Sequence, residues 1–160
     1  MTDTPFSDLL DDIERFLAST GPVADPVGLA EARLTEAEGV LEVWLLAKGQ
    51  VPTDERVEGY RLLALHRQGA RGDASFNACR ETCREVVYLR NVVALYDDDP
   101  AQARHHLNLQ AMVLRHLALF VGGKLQEAGL GDFCCSSRPV RTTSLPADQI
   151  NPTPARATGT

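Results

Sequence analysis

The sequence has no excess of positive charge and no long apolar run. Its 160 residues carry 16 Lys and Arg against 22 Asp and Glu, a net charge of −6. A duplex nucleic-acid binder needs a basic footprint and a charge-anchored membrane protein needs a polybasic segment, so both classes are disfavoured. The strongest apolar stretch, Leu117 to Val121, is far shorter than the ~20 residues that span a bilayer, so we expect no membrane protein.

The N-terminal sequence shows no export signal. Met-Thr-Asp-Thr-Pro has neither a basic region nor an apolar core. We therefore expect a cytoplasmic protein, in which thiols stay reduced. Four cysteines in that compartment are more often metal ligands, nucleophiles or small buried side chains than disulfides.

Common catalytic motifs are also missing. The chain contains no Walker loop, no GxGxxG, no GxSxG and no HExxH. It has no Glu-x-x-His, which argues against a ferritin-like di-iron bundle. Neither does it contain the CxxC spacing of standard zinc sites. Whether the protein is an enzyme is left open by the sequence.

What is present is helical periodicity. Apolar residues recur with a period of about 3.6, and no stretch alternates with period 2. The caps and breakers predict five helices: from Thr4-Pro5 to Gly21-Pro22, from Asp25-Pro26 to Gly49, from Thr53 to near Gly69, from about Ala74 to Tyr96, and from Pro100 to between Val121 and Gly129.

Short connections between these helices predict an all-α fold, an up-and-down bundle of about five helices. We expect the fifth helix to be central, because it is apolar around much of its girth from Leu107 to Val121. The bundle domain would cover residues 1–138. Residues 139–160, rich in Pro and Thr, are predicted to form a flexible C-terminal tail.

The charge is unevenly distributed along the chain. Residues 1–60 have a net charge of −9, whereas residues 61–120 have +2. The acidic first part can dock on the more basic part of the same chain, or on a protein partner or a second copy. We favour docking within the chain.

Cys79 and Cys83 are the most informative residues. Counting by three and four along the fourth helix places both on its core-facing side, one turn apart. At that spacing two thiolates can bind one metal. A disulfide is disfavoured within a regular helix, because its Cβ atoms must lie about 3.8 Å apart.

A second pair, Cys134 and Cys135, follows the fifth helix. Folding the fourth and fifth helices into a hairpin places His116 near the level of Cys79 and Cys83, and a chain turning back at Gly122-Gly123 would bring Cys134 toward them. A site of four thiolates, or of three thiolates and one imidazole, is therefore predicted as reachable.

Soft thiolate ligands select zinc, Cu(I) or an iron–sulfur cluster. The leading hypothesis is a helical protein that holds such a centre for electron transfer, metal handling or metalloenzyme assembly. One alternative is a metal-free adaptor with an acidic docking face, in which the cysteines are ordinary buried side chains. Another is a thiol oxidoreductase that uses Cys79 and Cys83, with Arg80 and Arg84 lowering a thiol pKa.

Arg90 lies on the same side of the fourth helix as the cysteines. A buried arginine must be paired, and Glu38 or Glu42 of the second helix are the expected partners, although the arginine can equally bind an anionic cofactor. His66 precedes the predicted stop at Gly69, where a solvated cation suits a helix C-terminus.

Overall fold

The computed structural model describes residues 5–129, and these residues form an all-α bundle. The helices are α1 (Ser7–Ala18), α2 (Pro26–Ala47), α3 (Arg61–Arg71), α4 (Arg80–Leu95) and α5 (Pro100–Glu127), with a 3-10 helix (Ala74–Cys79) directly before α4. In place of strands, this part of the chain has one isolated antiparallel bridge, Val57 to Tyr60. The all-α prediction is confirmed. The predicted tail and the Cys134-Cys135 pair lie outside the described residues.

Residues Phe6–Val121 form one compact unit, in which the helices pack against one another. From Gly122 onward the chain belongs to a second unit, in which the described residues continue α5 to Glu127. Over residues 5–129, none of the helices combines the length and apolarity that crossing a membrane requires.

The second helix begins where its sequence signal predicts. Asp25 is the N-cap of α2, its Oδ1 accepts a hydrogen bond from the Gly28 amide at 3.0 Å, and Pro26 occupies the first helical position. The first helix begins later than predicted, at Ser7. Phe6 has a left-handed φ of 64°, so a helix cannot run through it from Pro5.

The third helix also begins later than predicted, at Arg61 and not at Thr53. Glu58 and Gly59 have φ angles of 55° and 90°, which form a tight turn and end any right-handed helix. The Thr53 hydroxyl accepts a hydrogen bond from the amide of Glu55 at 3.0 Å, which is a local turn and not a helix start.

The predicted fourth helix is divided into two parts. Asp73 caps the 3-10 helix Ala74–Cys79, its Oδ1 accepting from the Ser75 amide at 3.0 Å, and α-helical geometry begins only after Cys79. Gly69, predicted to end the third helix, is instead a buried residue inside α3, which continues to Arg71. These two differences create the geometry of the candidate site.

The core joins four helices. Ala30, Val93 and Leu107 form a buried cluster of α2, α4 and α5, and Phe16 of α1 packs against it. The fifth helix, expected to be central, contributes buried residues from Leu107 to Val121, but Met112 and Leu119 are 53% and 49% exposed. Apolar residues on α5 are therefore not all buried.

The uneven charge is balanced within the chain, as favoured from the sequence. Acidic side chains among the first 60 residues meet arginines beyond residue 61. Three such pairs are Glu14–Arg115 at 2.8 Å, Glu31–Arg90 at 2.7 Å and Glu58–Arg84 at 2.8 Å.

Candidate thiol–imidazole site

Cys79 and Cys83 lie on either side of the first turn of α4. Cys79 ends the 3-10 helix and is the N-cap of α4, and Cys83 follows four residues later. Both are free thiols, with exposed fractions of 1% and 0%. Because Cys79 has φ −101° and ψ 13°, it is outside the regular α-helix, so the fixed spacing that disfavours a helical disulfide does not apply to this pair.

The imidazole of His66 lies beside the thiol of Cys79. His66 is buried on α3, and its Nε2 is 3.0 Å from the carbonyl oxygen of Phe76. The thiol of Cys79 donates to the same oxygen at 3.3 Å. Since a carbonyl only accepts, the contact with His66 assigns a proton to Nε2.

The three groups change one another's acidity. A hydrogen bond from the Cys83 thiol, together with the neighbouring His66 imidazole, lowers the pKa of Cys79 from 9.0 to about 6, in spite of its burial. The shared hydrogen bond and burial raise the pKa of Cys83 well above 9.0. At neutral pH the pair therefore consists of a Cys79 thiolate and a Cys83 thiol.

Packing around Phe76 holds this arrangement in place. The ring of Phe76 is stacked on Trp44 at 5.5 Å and on His66 at 5.6 Å, and it also contacts Phe120. A Cβ on Gly69 would come within 2.8 Å of the Phe76 ring. The glycine inside α3 therefore lets the ring approach the helix, which sets the Phe76 carbonyl between His66 and Cys79.

A charged pocket of about 340 Å³ lies on the other side of His66. Its walls come from α3, from the turn at Glu58 and from the segment that contains Asn77. Four arginines face it in two pairs, each pair spaced by one helical turn: Arg67 and Arg71 on α3, Arg80 and Arg84 on α4. His66 therefore belongs both to the wall of this pocket and to the surroundings of Cys79.

His116 does not lie where the sequence pattern placed it. It is exposed on α5, whereas the buried side of that helix carries Leu114, Leu117 and Ala118. Val113 and Phe120, three residues before and four residues after His116, are only partly buried, so this side of α5 turns toward solvent. The structure thus gives no reason to group His116 with the two cysteines.

Arg90 has a different partner from those expected. Its guanidinium is half-buried and bonds Glu31 Oε1 of α2 at 2.7 Å. Glu38 and Glu42 are both held by Arg61, which reaches the acidic face of α2 from the start of α3. The predicted role of Arg90 toward a cofactor stays a prediction.

The predicted metal centre is incomplete in the described part of the chain. Among residues 5–129, no three His, Cys, Asp or Glu side chains are arranged to hold a metal ion. Cys79 and Cys83 are together, but Cys134 and Cys135 lie outside the described residues. The four-thiolate site stays a prediction.

His66 is the site residue that sequence reasoning missed. The sequence suggested that His66 lies at a helix end, because Gly69 was expected to stop the helix. The helix continues to Arg71, so His66 lies inside α3. The sequence did contain a signal in its spacing. Leu62, His66 and Gly69 follow one another by four and three residues, which places the imidazole on the buried side of α3.

No family model matches the chain, and comparisons with curated proteins and with solved structures find no match either. A function for this protein therefore has to be inferred from Cys79, Cys83, His66 and their surroundings.

Proposed function

We propose that this protein is a thiol oxidoreductase in which Cys79 and Cys83 cycle between a dithiol and a disulfide. The observation that carries the proposal is the lowered pKa of Cys79 beside a second thiol whose pKa is raised. The thiolate is the nucleophile in disulfide exchange, and attack is most effective when its pKa is close to the ambient pH. The two thiols therefore suit different steps of one reaction.

The reaction we propose is thiol–disulfide exchange with a disulfide-bearing substrate. The Cys79 thiolate attacks one substrate sulfur, forms a mixed disulfide and releases the other substrate sulfur as a thiolate. The Cys83 sulfur then attacks Cys79, and its proton goes to a departing thiolate. The protein ends with a Cys79–Cys83 disulfide, and two electrons have reduced the substrate disulfide to two thiols.

His66 serves as a positioning residue in this proposal. Its imidazole contributes to the lowered pKa of Cys79, and its contact with the Phe76 carbonyl fixes the ring orientation. Once Cys79 is ionised its sulfur no longer donates to that carbonyl, which keeps the bond from His66. The contact between His66 and the Phe76 carbonyl therefore does not depend on whether Cys79 carries its proton.

The position of Cys79 at a helix junction supports disulfide formation. Where the 3-10 helix changes to α4, backbone adjustment is less costly than inside a regular helix. We expect the oxidised form to shift this junction so that the two Cβ atoms reach about 3.8 Å. Cys79 is 1% exposed and does not line the charged pocket, so a substrate disulfide would reach it only when this junction opens locally.

A redox titration tests this function. In a Cys134→Ser/Cys135→Ser background, the protein is equilibrated with reduced and oxidised glutathione, quenched with acid, alkylated and digested for mass spectrometry. We expect a Cys79–Cys83 disulfide that forms in one two-electron transition. Free thiols at both positions in the most oxidising mixture, with the protein still folded, would contradict the proposal.

Single-cysteine variants separate the two roles. With Cys83→Ser, a glutathione adduct should accumulate on Cys79, because no second thiol can resolve it. With Cys79→Ser, Cys83 should stay unmodified, because its burial still raises its pKa after the contribution of the Cys79 thiol is lost. For the imidazole, His66→Gln should slow exchange, while His116→Gln on the exposed side of α5 serves as the matched control and should not.

A metal or iron–sulfur centre is the second candidate function, for electron transfer, metal handling or metalloenzyme assembly. The supporting observation is that two buried free thiols, one of them with a lowered pKa, lie close enough for a hydrogen bond to join them. Cys134 and Cys135 would supply the remaining ligands. Anaerobic purification followed by metal and sulfide analysis is the test, and a Cys134→Ser/Cys135→Ser variant that keeps its full metal content would refute the four-thiolate site.

A further inference from the structure

The pocket beside His66 concentrates positive charge in an acidic protein. The chain has a net charge of −6, yet this pocket is lined by four arginines and only one acidic residue, Glu58, a local net charge of +3. Guanidinium groups that share one pocket repel one another, and an anion bound among them relieves that repulsion.

The described protein supplies an anion to only one of the four. Arg84 is held by both carboxylate oxygens of Glu58, at 2.8 and 3.1 Å. The guanidinium groups of Arg67, Arg71 and Arg80 form no ion pair or hydrogen bond with any residue between 5 and 129. Elsewhere in the same part of the chain, arginines such as Arg61 and Arg90 are paired with glutamates.

The turn that carries Glu58 closes one side of the pocket. Glu58 has a left-handed φ of 55°, which L side chains seldom adopt, and its carboxylate is tied to Arg84 across to α4. The strained turn is thereby held against the pocket, so its wall does not depend on any ligand. A pre-formed wall lowers the ordering cost of binding.

Arginine has the right chemistry for oxyanions. Its planar guanidinium presents N–H donors in a fork that matches two oxygens of a phosphate or a carboxylate. The pocket is lined by arginines from both α3 and α4, so it offers guanidinium groups for two oxyanion groups of one ligand. A volume of about 340 Å³ is at the small end of ligand pockets, which begin near ~300 Å³.

We propose that this pocket binds a small polyanion, a molecule with two neighbouring phosphate or carboxylate groups held by Arg67, Arg71 and Arg80. This site goes beyond the thiol chemistry and does not depend on it.

Calorimetric titration of the reduced full-length protein tests the proposal, with pyrophosphate as the phosphate probe and citrate as the carboxylate probe. We expect saturable one-site binding of at least one of them, and the tighter one identifies the preferred oxyanion. Arg71→Gln and Arg80→Gln should each weaken binding by about tenfold, the effect of losing one charge-assisted hydrogen bond. Both side chains are exposed and pair with no residue between 5 and 129, so the fold should be unaffected.

The matched control is Arg15→Gln on α1. The Arg15 side chain is 73% exposed and is not among the residues that line the pocket. It should leave the affinity unchanged. The proposal is overturned if neither probe binds saturably to the unmodified protein. It is equally overturned if Arg15→Gln weakens binding as much as Arg71→Gln and Arg80→Gln do, because the attraction would then be general charge and not a site.

Discussion

His66 and Cys79 converge on one acceptor, the carbonyl oxygen of Phe76, with Nε2 at 3.0 Å and Sγ at 3.3 Å. The two side chains come from different elements, α3 and the 3-10 helix, so neither local sequence implies the other. The hydrogen bond from Cys83 and the neighbouring His66 imidazole lower the pKa of Cys79, while the shared carbonyl fixes where the imidazole lies. The stability of this meeting point depends on the Phe76 ring and on the glycine that faces it.

Gly69→Ala should destabilise the protein in spite of the better helix propensity of alanine. The new Cβ would lie 2.8 Å from the Phe76 ring, which is fully buried against Trp44 and His66 and cannot move away freely. Overpacking of this kind costs about 1–3 kcal/mol, more than the ~1 kcal/mol that alanine gains over glycine in a helix. Urea unfolding measures the difference.

Gly39→Ala is the control for that substitution. Gly39 lies inside α2, and a Cβ there meets no atom within 4 Å. The free energy of unfolding should rise by up to about 1 kcal/mol, because only helix propensity changes. Equal effects of the two alanines would show that Gly69 does not confine the Phe76 ring.

The stability of the protein should depend on the ionisation of Cys79. Because folding lowers the pKa of Cys79 from 9.0 to about 6, the unfolded chain binds one more proton between these values, and stability rises with pH across that window. The contribution is fully present above pH 9.0 and is lost as the pH falls through about 6. The expected slope approaches about 1.4 kcal/mol per pH unit.

The measurement is urea unfolding at several pH values between those limits, for the unmodified protein and for Cys79→Ser. The serine variant should lack this slope, since its hydroxyl does not titrate there. If the two proteins gain stability in parallel as the pH rises, Cys79 is not the group responsible.

Glu58→Gly should be close to neutral for stability, although it removes an ion pair. Glycine relieves about 1 kcal/mol of strain at the left-handed φ of 55°, and an exposed, solvent-screened pair such as Glu58–Arg84 contributes little to stability. Glu58→Gln, which loses the charge but keeps the strain, should be the less stable of the two. Thermal unfolding ranks them, and a Glu58→Gly protein clearly less stable than Glu58→Gln would refute the strain.

The helices themselves could largely be predicted from the sequence. Asp25-Pro26 predicts the start of α2, because both residues act locally. Asp25 caps the helix and Pro26 is its first residue. The start of α3 could not be found in the same way. Thr53-Asp54-Glu55 looks like a helix start, but the left-handed turn at Glu58 and Gly59 intervenes, and that turn is held by Arg84 from a distant helix.

Half of the candidate site was also predictable. The i,i+4 spacing identified Cys79 and Cys83 as a buried pair, which the structure confirms. His66 was missed because Gly69 resembles a helix stop in the sequence. The role of Gly69 is to make room for Phe76, and that depends on tertiary packing. The location of Cys79 at a junction escaped because a 3-10 helix and an α-helix share nearly the same apolar pattern.

The most direct test is the titration of the Cys79 thiol by the ultraviolet absorbance of its thiolate, taken as the difference between the Cys134→Ser/Cys135→Ser protein and the same protein with Cys79→Ser. We predict a transition near the lowered pKa of Cys79, about 6, which moves upward when Cys83→Ala removes the hydrogen-bonding thiol. A transition at or above the ordinary value of 9.0 would contradict the thiolate on which the proposed function depends.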